Sequence, residues 1–233
     1  MRRLDDPKLV REEYAGEGRL AVRKAAYRNA EGPDPRAIAF EAVAELQPGR
    51  ILEVGCGEGE LSEQVQRELR AEVVAVDQSE RMVELSRARG VDARVGDVQD
   101  LPFADGEFDV AVAAWMLYHV PDLHRALSEL ARVVRPGGRL VAVTNASDHL
   151  LELRELLGLG RWDFSFAAEQ AGDDLARHFR RVARRDARGW VTFLDFRSAQ
   201  GHVDMMVSPQ GRLPVFDGPL RVRRCPVVFV ADK

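Results

Sequence analysis

The chain has 233 residues, 34 basic and 38 acidic side chains, and a formal net charge of −4. The acidic excess lies in the first 150 residues and the remainder is mildly basic. That balance argues against a nucleic-acid partner, and no apolar run approaches the ~20 residues of a membrane span. Two cysteines, Cys56 and Cys225, exclude a disulfide framework and a cysteine-built zinc site. The arginines at the N-terminus have no apolar segment behind them, so a secretory leader is not expected and a cytoplasmic, reduced protein is.

Residues 1–33 read as a polar, partly helical arm with Tyr14, Leu20, Val22 and Tyr27 as its larger apolar members. Asp34-Pro35 is a helix start, with the acid as N-cap and proline in the first turn. Gln47-Pro-Gly49 stops that helix before a short apolar strand, Ile51 to Val54. Gly55, Gly57 and Gly59 follow at every second position, and Leu61, Val65 and Leu69 at helical spacing behind them. Strand, glycine loop and helix open a nucleotide-binding βαβ unit, whose loop lets a ligand approach the backbone.

Glu72 to Asp77 is the second strand, ending in an acid, and Ser79 caps the next helix. Ala93 to Asp97 is a short third strand and Phe108 to Trp115 an apolar fourth. Asp122 caps a helix carrying Leu123, Leu127, Leu130 and Val134. Arg135-Pro-Gly-Gly138 ends it, and Arg139 to Thr144 is the fifth strand. Regular alternation of strand and helix predicts a parallel sheet covered on both faces. Beyond residue 145 helices are expected over 150–157 and 167–179, strands over 190–194 and 226–231, and a helix-like piece over 198–207.

The glycine spacing is G-x-G-x-G, not the G-x-G-x-x-G of a dinucleotide site, and no P-loop lysine is present. Glu53, inside the first strand, would repel a pyrophosphate and suits a cationic ligand. Asp77 at the end of strand two can accept from both hydroxyls of a ribose. Asp97 can accept from an adenine amino group, with Val98 bracketing the ring. The row of strand ends therefore offers an adenosine site without a phosphate binder.

Glu53-Val-Gly-Cys-Gly-Glu-Gly59, Val76-Asp77, Gly96-Asp97, Phe108-Asp-Val110 and Arg135-Pro-Gly-Gly-Arg139 together resemble the class I S-adenosylmethionine-dependent methyltransferases. Met116-Leu-Tyr-His-Val-Pro-Asp122 resembles their bacterial small-molecule branch. The resemblance implies an α/β, Rossmann-like fold with a seven-stranded, mostly parallel sheet whose last strand is antiparallel. It divides the chain into an arm or lid (1–33) and a methyltransferase domain (34–233), with 146–220 as an acceptor lid. It puts the loop residues Glu53, Gly55, Cys56 and Gly57 on S-adenosylmethionine, with Gly55 and Gly57 against its methionine part. Asp77 and Gln78 would hold the ribose, Asp97 and Val98 the adenine, and Met82 would cover the ring. The backbone of Ala114 and Trp115 would approach the methionine amino group, and Tyr14 and Arg23 would close over its carboxylate. S-adenosylhomocysteine would be the product.

His119, just after strand four, is the candidate general base, or it packs the next helix. Cys56 reads as a small loop filler. Trp162, Phe164, Phe166, Phe193 and Phe196 either line an acceptor pocket or are core. Arginines 177, 180, 181, 184, 185 and 188 read as a solvated helix face and edge strand, or as a patch for an acidic acceptor or RNA. The expected partner is a small-molecule acceptor, with neither nucleic acid nor membrane, acting as monomer or homodimer; an RNA or protein methyltransferase and a silent S-adenosylmethionine-binding module are the alternatives.

Overall fold

The computed structural model describes residues 4–6, 8, 10, 26, 27, 30–206 and 211–233. Tyr14 and Arg23 lie outside them. The first described helix, α1, is Pro35–Ala44; the Asp34 carboxylate caps it by accepting from Arg36 N. The alternation that follows is β1 (Arg50–Val54), α2 (Glu60–Leu69), β2 (Glu72–Asp77), α3 (Glu80–Ala88), β3 (Asp92–Val95) and β4 (Phe108–Ala114). After a 3₁₀ turn at Leu117–His119 come α4 (Leu123–Val133) and β5 (Val134–Asn145). The remainder is α5 (Leu151–Leu156), α6 (Ala171–Ala176), β6 (Arg181–Asp186), β7 (Gly189–Phe193), α7 (Phe196–Asp204), β8 (Leu220–Arg224) and β9 (Pro226–Asp232).

Seven strands form one sheet in the order β3-β2-β1-β4-β5-β9-β6. Pairs from β3 to β5 are parallel; β9 runs antiparallel between β5 and β6. The side-chain period of two explains why both faces must be covered. Leu52, Val54, Val74, Val76, Ala111 and Ala113 point to the face packed by α4 and α6. Ile51, Val73, Val110, Val112, Val141 and Val143 point to the opposite face, packed by α1 and α2. On α4, Ala126, Leu127, Leu130 and Val133 are the buried stripe, and Asp122 caps it through Arg125 N as expected.

Two expected boundaries are corrected. Strand β5 begins at Val134 rather than Arg139, because the Pro-Gly-Gly segment continues the chain along β4 with a register shift between Phe108 and Val110. A Cβ on Gly138 would sit 2.6 Å from Asp109 O, so only glycine admits that approach. The helix expected over 167–179 is confined to Ala171–Ala176; of the arginines after it, Arg181, Arg184 and Arg185 lie on the edge strand β6, with Arg177 and Arg180 before it and Arg188 after it. Among them Arg184 pairs with Asp186, Arg185 with Glu45 and Arg188 with Asp148.

The stretch 146–220 divides in two. Its α6 and β6 join the main sheet. Strands β7 and β8 pair separately, and with α5 and α7 they enclose a second core of Leu150, Leu153, Val191, Phe193, Val203, Met206 and Val222. Of the aromatic candidates, Phe166 belongs to the main core, and Phe193 and Phe196 to this smaller one.

Candidate active site

The glycine loop crosses the carboxyl end of β2: Gly55 N and Cys56 N both donate to Val76 O, at 2.7 and 3.3 Å. Two glycines in it have different reasons to be there. Gly59, at φ +77°, caps α2 and packs on α3; a Cβ would lie 2.3 Å from Ser86 Oγ. Gly57, at φ +54°, lines the cavity, and a Cβ placed there would have nothing within 4 Å. Its surface is left bare toward a ligand. Asp77 braces the loop: one carboxylate oxygen accepts from Gly57 N and the other from Ser79 N, both at 2.9 Å. Burial raises the Asp77 carboxyl above its ordinary value, opposed by those amide donors.

A cavity of about 1050 Å³ runs along the carboxyl edge of the sheet, from Asp97 past β3 to Asn145 and Pro226 at β5 and β9. It is at the upper end of the ~300–1,000 Å³ range of ligand pockets. Glu53, Gly55, Cys56, Gly57, Asp77, Gln78, Asp97, Val98, Ala114, Trp115 and His119 all line it. Met82 is fully buried and is not on its wall, so the structure does not bring this candidate to the site. The Asp97 carboxylate accepts from Gln99 N at 2.9 Å. Trp115 adopts φ +55°, which for a bulky residue is backbone strain held by its N–H bond to Val143 O.

Glu53 accepts a hydrogen bond from the Ser62 hydroxyl on α2. Complete burial pushes its carboxyl up to about 7, against the lowering effect of Ser62. Burial likewise pushes the Cys56 thiol far above its usual range, so no thiolate is available there and Cys56 fills space beside Ser86. Most acids lining the cavity lie around the loop, on β1, α2 and the ends of β2 and β3, with Asp34 at the start of α1 a further one, and Arg36 is paired with Glu60 at 3.1 Å.

The far end of the cavity has a different character. Tyr118, Trp162 and Phe164 form an aromatic wall, Trp162 stacked on Phe164 at 5.2 Å between centroids and Tyr118 tilted against Phe164 at 5.1 Å. His119 Nδ1 lies 2.8 Å from Leu4 O, an atom that can only accept, so the ring proton sits on Nδ1 and the basic nitrogen is Nε2. Three further residues here are not among the site candidates read from the sequence: Tyr27, named there only as an apolar member of the arm, His149 and Arg224. Tyr27 Oη is 3.1 Å from His149 Nε2, and Cys225 N donates to His149 Nδ1 at 3.0 Å. Burial holds the His149 imidazole down to about 3, hence neutral. The position of His149, just past a parallel strand as His119 is, was a usable signal. Tyr27 and Arg224 gave none, because only the tertiary fold brings the arm and β8 to this edge.

Residues 52–142 match the family model described as a methyltransferase domain. The chain is 30% identical over 169 residues to the O-methyltransferase rstn1 of Aspergillus nomiae, covering 69% of this chain and 73% of that protein. It is 38% identical over 115 residues to the O-methyltransferase cnsE of Penicillium expansum, covering 46% of this chain and 42% of that protein. The chain thus spans less than half the length of several curated relatives it matches. In fold it is similar to a geranyl diphosphate methyltransferase solved with geranyl diphosphate and sinefungin, and to the YcgJ protein of Bacillus subtilis, with TM-scores of 0.63 and 0.62. Those two are 15% and 16% identical; they cover 97% and 85% of this chain, and it covers 98% and 97% of theirs. Loop, sheet order, acidic strand end and these relatives converge: the chain belongs to the class I S-adenosylmethionine-dependent methyltransferases.

Proposed function

We propose that the chain transfers a methyl group from S-adenosylmethionine to a small-molecule acceptor. The observation that carries this is the pairing of Gly57, bare toward the cavity, with the Asp77 carboxylate beside it and acids rather than phosphate-binding cations around the loop. That donor set fits a cationic nucleoside. When bound, the cofactor supplies an electrophilic methyl on a sulfonium, open to displacement by an acceptor lone pair.

In this reading Gly55 and Gly57 receive the methionine part, helped by backbone at Ala114 and Trp115. Asp77 and Gln78 hold the ribose, and Asp97 and Val98 the adenine. Each Asp77 oxygen already accepts one amide and retains a second lone pair for a hydroxyl. The chain's main task is to hold the acceptor in line and exclude water; orientation alone can supply several kcal/mol. His119 Nε2 would take a proton from an acceptor that must lose one. The ion pairs of Arg184 and Arg185 on β6 and of Arg188 just after it disfavour the RNA alternative.

Calorimetric titration with S-adenosylhomocysteine tests the assignment. Asp77→Ala is expected to weaken binding roughly 10- to 100-fold, the effect of losing hydrogen bonds to a charged group. Unchanged affinity in a folded variant, or tight binding of NAD or ATP in the same crevice, would defeat it.

A further inference from the structure

Gln99 lines the cavity two residues beyond Asp97 and ties two separate stretches of the chain together. Its side-chain Oε1 accepts from the N–H of Asp122, the cap of α4, at 3.0 Å, and its backbone carbonyl accepts from Arg125 Nε at 2.6 Å. On the other side its Nε2 lies 3.1 and 3.0 Å from the two Asp97 carboxylate oxygens, and its backbone N–H donates to Asp97 Oδ1 at 2.9 Å. The Asp122 N–H can only donate, so the amide atom facing it is the oxygen and the amide NH2 faces Asp97. A flipped amide would lose both contacts.

Among the described residues Gln99 is the sole hydrogen-bond partner of the Asp97 carboxylate. Asp97 is itself exposed, and an exposed aspartate without such a partner turns among its rotamers. Two donors occupy Oδ1 and one shares Oδ2, which leaves a lone pair of Oδ2 for a ligand. The backbone of the same turn is fixed by Asp100 N donating to Asp97 O at 3.0 Å. Gln99 therefore sets the direction of the carboxylate, and Gln99 is in turn held by the start of α4, 23 residues further along the chain.

We infer that Gln99 is a positioning residue that makes the cofactor site select a 6-amino purine over a 6-oxo purine, by holding Asp97 Oδ2 on the exocyclic amine. This rests on the methyltransferase reading, with Asp97 as the adenine acceptor. Adenine offers its donor at the 6-amino group. Hypoxanthine has a carbonyl oxygen there, which repels a carboxylate, and its donor has moved to N1–H. A carboxylate free to turn would follow the donor to N1 and take either base. One clamped by Gln99 is left facing an acceptor, and the 6-oxo ligand is rejected.

The test is calorimetric titration of the full chain with S-adenosylhomocysteine and with S-inosylhomocysteine. The wild-type chain is expected to favour the adenine ligand about tenfold or more. Gln99→Glu keeps the acceptor for Asp122 N but sets a second carboxylate against Asp97; Gln99→Met keeps the length and neither side-chain hydrogen bond. Both should narrow the ratio several-fold, and thermal melts check that both are folded. In an Asp97→Ala background no carboxylate is left to hold, so neither substitution should change the ratio further. If Gln99 only braced α4, Gln99→Glu would keep the wild-type ratio, and that result overturns the inference. A wild-type ratio near one also overturns it and removes Asp97 from the adenine. A wild-type chain that binds no S-adenosylhomocysteine at all defeats the cofactor reading itself, so the two failures are told apart in the first titration.

Discussion

Glu53 is a buried side chain whose proton would respond to a charged ligand beside it. Its carboxyl titrates near 7 in the fold and near 4.5 when the chain is unfolded. Between those values the native state binds more protons than the unfolded one, so this group makes stability fall as pH rises from 4.5 to 7. The size is about 3 kcal/mol, at ~1.4 kcal/mol per pKa unit. His149 acts the other way: held near 3, it makes stability fall as pH drops from 6.5 toward 3. The slopes overlap, so the comparison that isolates Glu53 is wild type against Glu53→Gln; the variant should lose the decline between pH 5 and 7 in denaturant titrations. A cation placed beside Glu53 favours its ionised form. S-adenosylmethionine binding near pH 7 should therefore release a fraction of a proton, and S-adenosylhomocysteine less. Calorimetry in buffers of different ionisation enthalpy reads this directly, and equal release by both ligands would remove Glu53 from the sulfonium's surroundings.

At the scale of the element, the glycine loop separates a packing requirement from a binding one. Gly59→Ala combines a left-handed backbone, roughly 1–2 kcal/mol, with a Cβ pressed into Ser86, roughly 1–3 kcal/mol. It should lower the unfolding midpoint clearly. Gly57→Ala meets only the backbone cost of roughly 1–2 kcal/mol, because its Cβ has open space. It should instead cost tenfold or more in S-adenosylhomocysteine affinity. Thermal melts and calorimetry on the two variants decide; a Gly57→Ala protein with full affinity would mean the ligand does not approach there. The same loop was legible in the sequence because its signal is local, three glycines between an apolar strand and a helical stripe. Strand β8 was not, and β6 was read only as an edge strand within the arginine cluster, without bounds. Arg181–Asp186 and Leu220–Arg224 are charge-rich, and an edge strand of a sheet or a two-stranded ribbon needs only part of one face apolar.

At the scale of the molecule the two cores differ in how firmly they are held. Strands β1, β4, β5 and β9 are nearly continuously buried on both faces, whereas β7 and β8 form a separate two-stranded sheet over their small cluster, with a single bridge from Trp190 to Glu31 among the described residues. A two-stranded unit is marginal without support, so it should open below the global unfolding free energy. Hydrogen exchange followed by mass spectrometry should find residues 189–193 and 220–224 exchanging well before 51–54, 110–113 and 140–144. Uniform protection across both would contradict that division. The far wall of the cavity, including His149 and Arg224, is built where these two cores meet.

The sequence by itself determined the parallel sheet, its helical covering and the glycine-loop end of the cavity. Each of those follows from hydrophobic periodicity and from residues a few positions apart, such as Glu53 with Gly57 or Asp77 with Ser79. Only the tertiary structure decided the rest. It kept Met82 off the cavity wall, continued β5 through the Pro-Gly-Gly segment, and brought Tyr27, His149 and Arg224 together, the first two from a separation of 122 residues. No local pattern encodes such a meeting, because it depends on which sheet edge each segment finally reaches.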